Sequence, residues 1–140
     1  MIKNSDQQPV GGRIRLMLVD DEKGFVSVLA KRFRRRNIDV TTAFSGAEAI
    51  KVLRSQEFDV AVLDLKMEDM DGLEVLKVFR IMAPRLVVIM LTGHGSAEAA
   101  RQGLELGAFD YLTKPCELDE LLEKIKAAYQ HRQGFLKSGS

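Results

Sequence analysis

Five short apolar runs recur along this chain, each followed by a segment long enough for a helix. Ile14 to Val19, Asp59 to Leu63, Leu86 to Leu91 and Phe109 to Thr113 have strand length and little polar alternation. A strand without a polar face must be covered on both sides, as in a parallel sheet between two helical layers. The remaining run, Ile38 to Thr42, is the most polar, with Asp39, Thr41 and Thr42, and so belongs at an edge. The intervening segments carry helical spacing. Residues 22–36 place Phe25, Leu29 and Phe33 on one face. Ser45 to Ser55 opens on a capping box, Ser45 and Glu48, with Ala49, Ile50 and Leu53 on one stripe. Gly72 to Met82 follows a capping Asp71, and Ser96 to Leu106 stops at Gly107. A last helix over about Glu117 to His131 has Leu118, Leu121, Leu122 and Ile125 on one face. Right-handed crossovers then predict an α/β fold. It is a doubly wound five-stranded parallel sheet, order 2-1-3-4-5, with five helices.

A chain of 140 residues, 46% hydrophobic and 29% charged, is of a size and balance for one globular domain. Residues 1–12 read as a flexible lead-in, 13–133 as the domain, and 134–140 as a flexible tail or linker stub. The single cysteine, Cys116, excludes an internal disulfide and fits a reducing compartment. No run is long enough to span a bilayer, and residues 1–12 carry no signal-peptide apolar segment. The expected setting is cytoplasmic, with no membrane. A net charge of +1 gives no argument for direct nucleic-acid binding. The basic run from Lys31 to Arg36 reads as a solvated late-helix face, because no groove-reading motif accompanies it.

Doubly wound sheets bind ligands at the carboxyl ends of their strands, where the strand order reverses. In this order the reversal lies between strands 1 and 3. Asp20 and Asp21 follow strand 1, and Asp64 closes strand 3. Thr92-Gly93 ends strand 4, and Thr113-Lys114-Pro115 ends strand 5. Clustered carboxylates repel unless a cation or shared proton offsets the charge. Oxygen-only ligands on a partly open loop suit Mg²⁺. A carboxylate beside a metal and a lysine can act as a nucleophile toward phosphorus, giving an aspartyl-phosphate. The hydroxyl of Thr92 can hydrogen-bond the new phosphoryl group. Taken alone, Asp20-Asp21 would read as helix-capping residues; the other strand-end groups outweigh that.

From about Arg13 to Arg132 the chain resembles the receiver domain of bacterial two-component response regulators, which has the flavodoxin-like, CheY-like form of this fold. The resemblance rests on five stretches in order: Leu18-Val19-Asp20-Asp21-Glu22, Leu63-Asp64-Leu65-Lys66-Met67, Met70-Asp71-Gly72-Leu73-Glu74, Leu91-Thr92-Gly93, and Gly107 to Pro115. It implies that Asp64 is the phosphoacceptor, taking phosphate from a sensor histidine kinase or a phosphotransfer protein. It implies a Mg²⁺ held by Asp20, Asp21, Asp64 and the backbone carbonyl of Lys66. Thr92 and Lys114 would contact the phosphoryl group, and Tyr111 would be the switch aromatic. The side chains of Lys66 and His94 would tune the phosphoryl lifetime, and the Lys114–Pro115 bond would be cis. The surface around the fourth helix, fifth strand and fifth helix would meet an output domain or partner protein not in this chain. Transient homodimerisation through the fourth and fifth helices is allowed, with no specific residue pointing to it.

Two positions depart from the pattern of relatives. Glu68 stands where most carry proline, which frees a backbone N–H and loosens the loop in principle. Cys116 stands where relatives often place a large apolar residue, and it reads as a small buried residue at the start of a helix rather than a redox sensor. Glu68, Asp69 and Asp71 read as solvated loop acids and a helix cap rather than further metal ligands. Two alternatives to a non-enzymatic signalling module stand beside this reading. One is an aspartyl-phosphate phosphohydrolase, which usually has an acid two residues after its nucleophile; here that residue is Lys66. The other is a pseudo-receiver that binds a partner constitutively, against which the intact acid set argues.

Overall fold

A computed structural model describes residues 12–93 and 95–137. The elements alternate as β1 (Arg15–Val19), α1 (Lys23–Arg35), β2 (Asp39–Ala43), α2 (Gly46–Ser55), β3 (Val60–Asp64), α3 (Gly72–Met82), β4 (Val87–Thr92), α4 (Ala97–Glu105), β5 (Asp110–Thr113) and α5 (Leu118–Lys137). The five strands form one sheet, β2-β1-β3-β4-β5, with parallel pairing throughout. β2 is the edge strand beside β1, where Asp39 is exposed and Thr41 and Thr42 are half-buried.

Successive strand residues point to opposite faces, and each face has its own core. Leu16, Leu18, Val60, Val62, Val87, Ile89 and Leu91 pack with Val26, Leu29 and Phe33 of α1 and Leu121 and Ile125 of α5. Met17, Val19, Ala61, Leu63, Val88 and Met90 pack with Ala49 and Leu53 of α2 and Val75, Leu76 and Phe79 of α3. This two-sided burial explains the absence of polar alternation. Each fully buried side chain such as Phe33 or Phe79 contributes about 1.5–3 kcal/mol. Among the described residues no helix is long and apolar enough to cross a membrane.

Local signals set the helix starts. Ser45 Oγ accepts from the Glu48 N–H at 3.0 Å, and Glu48 Oε1 accepts from the Phe44 N–H at 2.7 Å. Asp71 Oδ1 accepts from the Leu73 N–H at 3.0 Å and caps α3. The following Gly72 has a packing reason. Its N–H donates to the Leu65 carbonyl at 3.1 Å, and a Cβ there would lie 2.4 Å from Leu65 Cα and 2.9 Å from the Asp64 carbonyl oxygen. The start of α3 thus rests directly on the backbone that carries Asp64.

The last helix is longer than its periodicity predicts. It continues past His131 to Lys137, so residues 134–137, expected to begin a loose tail, are helical. Tertiary contacts explain the extension. The His131 ring lies 5.0 Å from that of Phe109 and 4.8 Å from that of Phe135. Arg132 is 4% exposed, with Nε donating to Asp59 Oδ1 and Nη1 to the Arg85 carbonyl, each at 2.9 Å. Asp59 also accepts from the Arg15 N–H at 2.8 Å and from the Arg15 guanidinium. This pairing ties the far half of α5 to the amino ends of β1 and β3. The lead-in, apart from Gly12, and residues 138–140 lie outside the described residues.

Two outcomes follow for stability. Replacing Gly72 with Ala forces a methyl group into backbone, and chemical denaturation is expected to show a loss of about 2 kcal/mol or more. Burial alone would raise the Asp59 carboxyl, but the bonds from Arg15 and Arg132 outweigh it and hold it below the usual carboxylate range. A depressed folded value means stability that is present above the unfolded value of about 3.9 and lost as pH falls through the folded one. Asp59→Asn leaves the buried Arg132 with only the exposed Glu57, 3.5 Å away, as a counter-charge, at a cost of about 3 kcal/mol near neutrality. Denaturation measured across pH should show the gap between wild type and variant closing in acid.

Candidate functional site

The register of the sheet assembles the site. Val19 lies opposite Leu63, Asp64 opposite Leu91, and Thr92 opposite Thr113. The residues that end or follow these strands therefore reach the same carboxyl edge from four neighbouring strands. Asp20 is buried, with Oδ1 accepting from the Glu22 N–H at 3.0 Å. Asp64 is 5% exposed, and its Oδ1 accepts from the Lys66 N–H at 3.2 Å. Asp21 is half-buried, and its Oδ2 accepts from the Glu68 N–H at 3.0 Å. Each of Asp20, Asp21 and Asp64 offers one oxygen, and these oxygens lie within 4.8 Å of one another.

Lys114 follows β5 at the same edge. Its Nζ donates to Asp20 Oδ2 at 2.9 Å and to Glu22 Oε1 at 2.6 Å, and it stands 4.0 Å from Asp64 Oδ2. The ammonium also lies 4.7 Å from the centre of the Phe25 ring. Its N–H donates to the Thr92 carbonyl at 2.7 Å. Thr92 is buried, and its hydroxyl donates to the Leu112 carbonyl at 3.4 Å. Tyr111 is 39% exposed on β5. The Lys66 side chain is exposed, and its backbone pairs with Asp71. The Lys114–Pro115 peptide bond is cis. Cys116 is partly buried against the core, and burial pushes its thiol upward. His94 lies outside the described residues.

Charge is unbalanced here. Burial raises the Asp64 carboxyl, the Lys66 N–H opposes this, and the charge of Asp20 adds to it; the result is a group pushed up to about 6. For Lys114, burial disfavours the ammonium. Hydrogen bonds to Glu22 and Asp20 and the charge of Asp64 outweigh that and hold it above its ordinary range. One lysine serves Asp20, Glu22 and Asp64, and Asp21 adds a further acid to the same cluster. The donor set is all oxygen and in excess of negative charge, which fits a hard divalent cation such as Mg²⁺.

The loop acids differ in their fates. Asp71 caps α3, as its place before Gly72 predicts. Asp69 is not simply a solvated acid: its Oδ1 and Oδ2 accept from the Gly46 and Ala47 N–H groups at 3.0 Å each. Those bonds hold its carboxyl below the usual range. Nothing local in the sequence signals this contact, because it joins a loop to a helix start 23 residues away. The Glu22 bond to Lys114 was legible only as a third acid beside Asp20-Asp21.

The raised Asp64 fixes a sign. A carboxyl whose folded value exceeds its unfolded one costs stability wherever it is ionised in the fold. In metal-free protein Asp64→Asn should be more stable than wild type above about pH 6, by on the order of 2 kcal/mol. Thermal melts in chelator should show that advantage fading as pH falls toward about 4.

Known proteins supply the comparison. The family model of the response regulator receiver domain matches residues 16–126. The transcriptional regulatory protein ZraR of Salmonella typhimurium is 33% identical over 122 residues, 87% of this chain and 28% of its own length. The DNA-binding transcriptional regulator NtrC of Escherichia coli K12 is 37% identical over 116 residues, 83% of this chain and 25% of its own. This chain thus spans about a quarter of the curated relatives it matches. The receiver domain of the Francisella response regulator 1452 superposes with a TM-score of 0.79 at 34% identity, covering 85% of this chain and 98% of that one. A CheY-like receiver domain protein from Methanospirillum hungatei JF-1 gives a TM-score of 0.84 at 28% identity, covering 88% and 98%. With the match spanning both layers of the fold and every strand end of the acidic edge, the chain belongs to the response regulator receiver domain family.

Proposed function

We propose that this chain is a phosphorylatable switch that accepts a phosphoryl group on Asp64 in a Mg²⁺-dependent reaction. The observation that carries the proposal is the set of three carboxylate oxygens within 4.8 Å of one another, with the Lys114 ammonium 4.0 Å from Asp64. A carboxylate oxygen of Asp64 attacks the phosphorus of a phosphohistidine on a sensor histidine kinase or phosphotransfer protein. The new P–O bond forms as the P–N bond breaks, and the imidazole leaves with the bonding pair. Asp20, Asp21, Asp64 and the Lys66 carbonyl are the ligands we assign to the cation. When bound, the cation supplies charge neutralisation for the phosphoryl oxygens.

The chain's own groups have separate tasks. The Lys66 N–H holds one Asp64 oxygen, leaving the other to face the donor. Lys114 must leave Glu22 and Asp20 to pair with the arriving phosphoryl group, a short move for a flexible side chain. Thr92 exchanges its bond to the Leu112 carbonyl for one to a phosphoryl oxygen, and Tyr111 moves inward as it does so. The rearrangement is read at α4, β5 and α5 by an output domain or partner, and weak self-association would use the same face. Lys66 and His94 adjust how long the phosphoryl group lasts. Because ZraR and NtrC are transcriptional regulators of about three times this length, we place this module at the input of such a regulator, in the cytoplasm. No separate substrate is turned over, so the protein acts as a switch and not as an enzyme.

Phosphotransfer tests this directly. With Mg²⁺ and a labelled phosphohistidine or acetyl phosphate donor, wild type should take up label, while Asp64→Ala or chelation of Mg²⁺ should abolish uptake. Lys114→Ala should slow uptake about a hundredfold through lost charge stabilisation. Sustained hydrolysis of phosphomonoesters would favour the phosphohydrolase instead, and beryllofluoride that leaves the Asp64 environment unaltered would favour the constitutive pseudo-receiver.

A further inference from the structure

We infer that Asp69 is a positioning residue for the cation site, acting through the Glu68 N–H on Asp21. The inference rests on the functional reading above and adds a residue to it. The loop between β3 and α3 follows Asp64 and is attached to two other parts of the molecule at adjacent residues. Asp69 accepts from the Gly46 and Ala47 N–H groups, the first two of α2, which have no partner within the helix. Ser45 Oγ meanwhile serves the Glu48 N–H, so the two acceptors divide the free donors of this terminus between them. The helix dipole favours an acid at that place.

Packing supports the same seat. Gly46 is buried, and a Cβ on it would lie 2.8 Å from Val75 Cγ2 and 3.0 Å from Met70 Sδ. The residue after Asp69 therefore rests against the helix that Asp69 caps. The residue before it, Glu68, gives its N–H to Asp21 Oδ2, 47 positions away in sequence. A proline at 68 would have no N–H to give. One planar peptide separates Glu68 Cα from Asp69 Cα, so fixing one residue restricts the other. Asp21 stands half-buried, and this donor orients it. The path runs from the α2 terminus through Asp69 and Glu68 to a cation-binding carboxylate. Glu68 and Asp69 are themselves exposed, between Met67 and Met70, which pack against the core, so hydrogen bonds and not burial fix the two acids.

The test compares Asp69→Ala, Asp69→Asn and Ser45→Ala in the full chain. Ser45→Ala also removes a cap from α2 but leaves the loop attached. Mg²⁺ affinity is read by calorimetry, and the metal-free Glu68 amide by its proton shift and exchange rate. Asp69→Ala should weaken Mg²⁺ binding about tenfold, the lower end of what losing support around a metal ligand costs. It should also speed exchange at the Glu68 amide without added metal. Asp69→Asn, which keeps an acceptor oxygen for only one of the two N–H groups, should recover part of the loss, and Ser45→Ala should lower the Tm alone. Asp69→Ala that lowers the Tm yet keeps Mg²⁺ affinity within about twofold and the Glu68 amide unchanged overturns the inference, because it then behaves as an ordinary cap. Wild type with no Mg²⁺ response at millimolar concentration overturns the functional reading and this inference with it.

Discussion

Parallel pairing of β1 with β3 brings Asp20 and Asp64 out of the sheet as neighbours, and the chemistry of the molecule depends on that placement. Both groups are buried, and Asp21 reaches the same volume from the turn that follows. Like charges so close in a site of low dielectric do not balance by themselves. Lys114 relieves part of the repulsion and backbone N–H groups a further part, but an excess of negative charge remains. An oxygen-rich site with that excess favours a divalent cation and, next to it, a phosphoryl group. The feature that makes the site expensive to fold is thus the one that the proposed chemistry would use.

The opposite edge of the sheet answers the same problem differently. Asp59 is as buried as Asp64, yet Arg15 and Arg132 surround it and hold its charge. There a carboxylate serves stability, since every partner is present. At the carboxyl edge the charge partners are incomplete, and the proposed cation would supply the missing positive charge. The directions of the two carboxyls, Asp59 held low and Asp64 pushed up, report this difference. Among the described residues no buried side-chain nitrogen or oxygen lacks a hydrogen-bond partner, so the imbalance is one of charge and not of missing bonds.

Much of this was legible because it is periodic or local. Apolar runs without alternation, such as Leu86 to Leu91, marked covered strands, and the polarity of Ile38 to Thr42, with right-handed crossovers, led to the strand order. Ser45 with Glu48 and Asp71 before Gly72 are short-range signals, and each does what its position suggests. Reading failed where a contact joins distant segments. Asp69 looked like one solvated acid among several, and only the approach of α2 gives it two backbone donors. The end of α5 looked frayed because Gly134 and the polar residues around it weaken the helical pattern. Arg132 and the ring contacts of His131 with Phe109 and Phe135 override that weakness.

Residue order alone determined the alternation of elements, the two-sided burial of the sheet and the identity of the groups gathered at its carboxyl edge. Those follow from short-range periodicity and from the handedness of crossovers, which act on any chain with this pattern. Tertiary structure alone decided which acid faces which donor. Lys114 rests on Glu22 as well as Asp20, the Glu68 N–H serves Asp21, and Asp69 serves another helix. These choices turn on separations of a few ångströms between segments dozens of residues apart, and no linear pattern encodes such separations.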